Sequence, residues 1–171
     1  MGRKRHRRPQ AVVSVSPERI KHLEFIQNTI TRQASHSFAV KGWSLTVAAV
    51  IYAYAAAHLT WWMALVALLP AVAFAGLDAF YLRQERLFRA LYRGVSQEYT
   101  PVPMFEMDTR CYTNKEAFPS CRYWGKTGVL RSPSWLLLHS MIVAVGLVLL
   151  GVALFQAAGT AELAQCIRNI F

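Results

Sequence analysis

Residues 76–95 read GLDAFYLRQERLFRALYRGV, and the reading of this stretch decides the fold. An apolar run ends in a carboxylate, Asp78, and continues without a helix breaker into Arg83, Arg86, Arg89 and Arg93. Upstream, residues 42–82 hold that one formal charge and are interrupted by the short break His58–Leu59–Thr60. Residues 134–155 hold none. A hydrocarbon layer about 30 Å thick needs roughly 20 apolar helical residues to cross it. The pattern therefore predicts transmembrane helices at about 39–58, 61–81 and 134–157. The expected fold is an all-α membrane protein: a helical hairpin extended into a stalk, plus a third span.

Composition supports this. The chain has 171 residues, 54% of them apolar, yet carries a net charge of +10. A soluble basic domain rarely combines the two, because so much apolar surface needs a large core to hide in. The tail over residues 1–16 contains Arg3, Lys4, Arg5, Arg7 and Arg8, but no apolar export-signal core follows. It is expected to remain as a topology signal, with anionic lipid or nucleic acid as partners for its charge. Of the lysines and arginines, nine lie up to residue 41, none in the turn near Leu59, nine between 83 and 131, and one beyond. The positive-inside rule then places the N-terminus and residues 83–133 in the cytoplasm and the C-terminus outside. Cys111 and Cys121 become cytoplasmic thiols, with no zinc-like spacing.

The first helix has a readable start: Ser16 as cap, Pro17 in the first turn and Glu18 on the dipole. Ile20, Leu23, Ile26 and Ile30 form an apolar stripe, and a bend is expected near Gly42. A turn as short as His58–Thr60 makes the two spans antiparallel neighbours. Folding the chain back there brings Lys41 to the depth of Asp78. A carboxylate at a membrane boundary seeks a partner, so Lys41 and Asp78 are expected to latch the hairpin. The alternative is a solvated Asp78 that has left the hydrocarbon. Ala49, Ala53 and Ala57, and Ala67, Ala71, Ala75 and Ala79, form small-residue stripes suited to close packing. Pro70 is expected to kink the second span.

Beyond Asp78 the helix is expected to reach about Val95, so that residues 17–95 form one helical unit. Leu77, Phe80, Gln84, Leu87 and Leu91 follow heptad spacing and form a seam. Its partner is either the pre-membrane helix of the same chain or the same helix in another subunit; a single glutamine in such a seam favours a homo-oligomer. Arg86, Arg89 and Arg93 share the other face, with Glu85 placed to pair with Arg89.

Residues 96–133 lack periodicity but are rich in aromatics and methionine, which predicts an irregular cap packed on the stalk. His139, near the inner end of the third span, reads as an interface hydrogen-bonder. Thr160 is expected to cap a separate outer amphipathic helix over 158–171. No catalytic constellation is visible, and an enzyme is not expected. Glu106 and Asp108 lack a third ligand, so neither a metal nor a cofactor is expected.

Four segments, KHLEFIQNTITR (21–32), SFAVKGW (37–43), LDAFYLRQERLFRALY (77–92) and MFEMDT (104–109), resemble a family of small bacterial membrane proteins from phage-defence loci. Among characterised systems the chain is most similar to the membrane effector of Hailong-type defence, in which a nucleotidyltransferase makes a DNA oligomer that holds a membrane channel shut. The resemblance covers residues 21–108 and implies an oligomeric effector in the bacterial inner membrane, gated from the cytoplasm. The signal would be a single-stranded DNA oligomer or cyclic nucleotide from a neighbouring nucleotidyltransferase. On that basis Arg83, Arg86, Arg89, Arg93, Lys21 and Arg32 are the candidate ligand-binding residues, with Tyr92, Tyr99 or Trp124 for base stacking. Positive-inside bias alone also accounts for the arginines. A non-conducting anchor that recruits a soluble protein through residues 96–133 is the alternative, and a phage holin a third idea.

Overall fold

The structure, a computed structural model, describes residues 16–97, 102–114, 117–125 and 127–170. Among these the fold is all-helical, with three long helices: α1 (Pro17–Ala57), α2 (Trp61–Ser96) and α3 (Pro133–Ile170). Each is long and apolar enough to cross a membrane. The basic tail, apart from Ser16, and Tyr99 lie outside the described residues.

α1 starts at Ser16, whose Oγ accepts the Arg19 backbone N–H at 3.3 Å, with Pro17 in the first turn. It runs unbroken through Gly42 for 41 residues, about 62 Å at the α-helical rise. After His58–Thr60 the chain returns as α2, whose 36 residues continue through Pro70. Both helices outrun a hydrocarbon layer of about 30 Å. Because they share the short turn at one end, the surplus gathers at the other as a two-helix stalk.

Along the spans the helices meet through small residues: Ser44, Ala48 and Ala55 of α1, and Ala64, Ala67 and Ala71 of α2, are buried. Tyr52 and Ile142 complete this core. Ala49, Ala53 and Ala57 are exposed, which corrects the expected α1 stripe. The packing face is set instead by Ser37 and Lys41 opposite Asp78, and three–four spacing carries it through 44, 48, 52 and 55. Ala49 and its partners sit one residue, about 100°, away from that face.

α3 reaches the hairpin closely at Gly146, where a Cβ would overlap the Leu68 side chain and the Tyr52 hydroxyl. Trp135 Nε1 donates to the Ala75 carbonyl at 2.9 Å. The helix continues through Gly159 and Thr160 to Ile170, so the expected separate outer helix is part of α3. Thr160 Oγ donates back to the Ala157 carbonyl at 2.9 Å instead of capping a new helix. One interior glycine costs a helix only about 1 kcal/mol, too little to break so long an element. The outward faces of the bundle carry Phe38, Val50, Leu69, Leu137 and Phe155, all mostly exposed. Apolar faces of this kind are suited to lipid.

In the stalk, Ile26 and Ile30 of α1 pack on Leu87, Ala90, Leu91 and Val95 of α2. The described residues between 102 and 132 fold over them with short 3₁₀ turns at Arg110–Thr113, Pro119–Cys121 and Val129–Arg131. Tyr112, Cys121, Gly128 and Val129 are the buried residues among those described there. Of the two partners open to the α2 seam, the pre-membrane part of α1 takes Leu87 and Leu91. Leu87 and Leu91 are spent inside the chain against α1, whereas Leu77 and Phe80 are more than two-fifths exposed and Gln84 is half-buried. The five residues therefore do not form one free strip for a second copy. The physical reason is that α1, by running the full length of the stalk, covers the lower half of the seam.

Arg19 closes the open end of α2. Its guanidinium donates to the Val95 carbonyl at 2.6 and 2.9 Å and to the Gln97 carbonyl at 2.8 Å. The last carbonyls of a helix lack intrahelical donors and carry its negative pole, so a guanidinium stabilises them twice over.

The Gly146 contact gives a direct test of how α3 is seated. Gly146→Leu is expected to lower unfolding free energy in detergent by about 1–3 kcal/mol. Gly151→Leu, where a Cβ meets nothing within 4 Å, should stay within about 0.5 kcal/mol of the parent. Equal effects at the two positions would mean that α3 does not seat on Gly146.

Candidate functional site: a buried carboxylate and an arginine-lined groove

Asp78 is fully buried, and both of its carboxylate oxygens are used. On one side Ser37 Oγ donates to Oδ1 at 2.5 Å and Lys41 Nζ donates to the same oxygen at 2.7 Å. Lys41 also donates to Ser37 Oγ at 2.7 Å, which closes a triangle across α1 and α2. On the other side His139 Nε2 of α3 lies 3.0 Å from Oδ2. A carboxylate only accepts, so this ring nitrogen is the donor. One residue of α2 thus ties together all three helices. Its donors are 4%, 19% and 3% exposed at Ser37, Lys41 and His139, so little water reaches the cluster.

The local sequence explains why these groups meet. Ser37 and Lys41 are four residues apart and share one face of α1. Ser44 continues that face, with its Oγ turned back onto the Lys41 carbonyl at 2.8 Å. Trp135 lies against His139 with its ring tilted 51° and the centroids 5.3 Å apart, and is itself anchored to the Ala75 carbonyl. The anchor places His139 beside Asp78, three residues beyond Ala75 on α2. Lys41 and His139 thus serve different oxygens of the carboxylate, Oδ1 and Oδ2.

Toward the basic end the arginines of α2 divide into two pairs. Arg83 Nε donates to the Cys121 carbonyl at 3.1 Å, and its guanidinium lies 4.9 Å from the centre of the Tyr123 ring. Arg86 donates to the Ser120 and Thr127 carbonyls at 2.9 and 3.0 Å. Burial pushes the Arg86 guanidinium below its ordinary pKa. These two side chains are straps for the cap. Arg89 and Arg93 are exposed: Arg89 pairs with Glu85 at 2.5 Å, and among the described residues Arg93 reaches the Arg89 carbonyl at 3.4 Å. A groove of about 630 Å³ opens beside them, lined by Gln27, Ile30, Arg86, Arg89, Tyr92, Arg93 and Ser120.

The other two candidates lie elsewhere. Lys21 pairs with Glu24 at 2.8 Å on the open surface of α1. Arg32 lines a separate pocket between α1 and residues 105–107. The six candidate basic residues therefore do not form one ring within the chain. The chain matches no family model, no curated protein and no solved structure. Among the described residues no three His, Cys, Asp or Glu side chains are grouped to hold a metal ion.

Ser37, His139, Arg19 and Arg83's carbonyl partner all lie beyond the pairings inferred from sequence. Ser37 had a usable signal, its i−4 relation to Lys41. The others depend on how α3 and the cap are seated, which periodicity does not encode.

Removing one member of the cluster should be worse than removing two. Lys41→Met leaves the buried carboxylate without its cation and is expected to cost about 3–5 kcal/mol of stability in detergent. Lys41→Met combined with Asp78→Asn should be the more stable protein, because no uncompensated charge remains. A double variant no more stable than Lys41→Met would show that Lys41 does not compensate Asp78.

Proposed function

We propose that the chain is a membrane effector of bacterial antiphage defence, an oligomeric ion channel or pore of the inner membrane. Its basic end faces the cytoplasm and is gated by a nucleotide or DNA-oligomer signal. Opening depolarises the membrane and arrests growth. Two lines support this reading: the family resemblance of residues 21–108, and the unstrapped pair Arg89 and Arg93 beside a groove that also offers Tyr92. That groove is the observation that carries it. Guanidinium groups exposed next to an aromatic ring suit the phosphates and bases of a single strand.

The same helix provides a route from signal to membrane. Arg89 lies on α2 eleven residues beyond Asp78, about 16 Å along the axis. A polyanion at Arg89 competes with Glu85, a residue that is 7% exposed and has Arg89 as its ion-pair partner. Releasing that pair biases α2, and α2 carries the carboxylate that binds α1 and α3. The two-state element this requires is the seating of α2 between its neighbours. Leu77 and Phe80, still exposed beside Asp78, are available to an adjoining subunit at the level where the helices would move.

The second reading, a non-conducting anchor that recruits a soluble protein, is favoured by the exposed apolar side chains of the cap, Trp124 at 75% above all.

Expression of the chain alone in a bacterial host, followed with a voltage-sensitive dye, separates the two. The channel reading predicts loss of membrane potential and growth arrest. An unchanged potential with a soluble protein co-purifying in fixed ratio would replace it with the anchor reading. For ligand control, Arg89→Glu with Arg93→Glu should weaken binding of a short single-stranded DNA oligomer by at least about tenfold and flatten its salt dependence. Unaltered binding would remove the groove from the account. Arg86 is unsuitable for this test, because reversing it also unstraps the cap.

A further inference from the structure

A second pocket, of about 450 Å³, lies between α1 and the cap. Its volume suits a ligand of mononucleotide size. On α1 it is lined by residues 22, 25, 28, 29 and 32, a different face of the helix from Gln27 and Ile30, which serve the arginine groove.

The wall opposite α1 is held in place by hydrogen bonds. His22 is 1% exposed, and its Nε2 donates to the Glu106 carbonyl at 2.9 Å. The Glu106 N–H closes a turn on the Pro103 carbonyl at 3.2 Å, and the Asp108 N–H donates to Glu106 Oε1 at 2.7 Å. These bonds hold Phe105 at a φ of 59°, a backbone conformation that glycine adopts freely and a bulky side chain rarely does. The result is a ring set 6.2 Å from Phe25, edge to face, with both rings half exposed. Asn28 and Arg32, four residues apart on α1, are exposed beside these rings. Neither side chain has a hydrogen-bond partner among the described residues.

An aromatic wall, an amide that can donate and accept, and a free guanidinium select a planar ring carrying an anion. Aromatic side chains stack bases regardless of sequence, a carboxamide matches a base edge, and a guanidinium takes phosphate through two parallel bonds. We infer that this pocket binds one nucleoside monophosphate unit, with the base against Phe105 and Phe25 and the phosphate on Arg32. The inference rests on the proposed nucleotide control and deepens it. Base recognition belongs to this pocket, while Arg89 and Arg93 hold backbone phosphates.

The test uses the purified full chain in detergent, titrated by calorimetry with the four deoxynucleoside 5′-monophosphates, each deoxynucleoside alone, and inorganic phosphate. At least one monophosphate should bind saturably, and its nucleoside and inorganic phosphate should each bind at least about tenfold more weakly. Arg32→Ala and Phe105→Gly should each weaken the monophosphate by about tenfold or more, and Arg122→Ala, outside the pocket, by less than about twofold. Phe105→Gly suits the local backbone, so its melting temperature should not fall, and lost binding then reports the lost ring. No saturable binding, inorganic phosphate as tight as the nucleotides, or affinity indifferent to both pocket variants would each overturn the assignment. Absent binding with growth arrest intact overturns the pocket alone. Pocket-dependent binding in a chain that leaves membrane potential unchanged overturns the channel and upholds the site.

Discussion

A carboxylate without water must be surrounded by donors, and that requirement at Asp78 fixes the arrangement of the helices. Leaving such a group unpaired costs several kcal/mol, more than most individual contacts between apolar helices provide. Apolar packing between helices in lipid is nearly indifferent to rotation, since lipid tails are as apolar as leucine. The donors Ser37, Lys41 and His139 are not indifferent. They set the register of α1 on α2 and the rotation of α3 against both. The alanine contacts and the Gly146 approach then follow as consequences of that seating.

A division of labour extends along α2 from this point. Arg83 and Arg86 donate to cap carbonyls that have no regular secondary-structure partners, so the irregular segment is held by side chains where a sheet or helix would use its own backbone. Arg19 does the same for the last turn of α2. Arg89 and Arg93 are left with weaker obligations and face an open groove. A ladder that looks uniform in sequence is therefore half structural and half available.

The hairpin was legible because a three-residue turn leaves one way to pair the two spans, and that pairing put Lys41 across from Asp78. The cap start at Ser16 was legible for the same local reason. His139 was legible as an interface hydrogen-bonder, but its partner Asp78 was not, since the spacing of an apolar run does not fix how α3 is seated on the hairpin. The α1 alanine stripe was misplaced because alanines at four-residue spacing occur on lipid-facing surfaces as readily as on packed ones. The α2 seam was legible as a sticky face but not its partner: heptad spacing does not tell that α1 of the same chain takes Leu87 and Leu91 while Leu77 and Phe80 stay exposed. The pocket under Phe105 was invisible because its wall depends on one residue held at positive φ, a conformation that phenylalanine does not advertise.

Asp78 holds three helices at once, and an interhelical distance reports whether it does. Spin labels at Phe38 of α1 and Leu137 of α3, both on the outer surface, with native cysteines replaced, report the separation of two helices that Asp78 joins. The account predicts a single narrow distance distribution in the parent protein. It also predicts a broadened or lengthened distribution after Asp78→Leu, with helix content retained. An unchanged distribution in that variant would mean that apolar packing alone seats the helices, and would contradict the account.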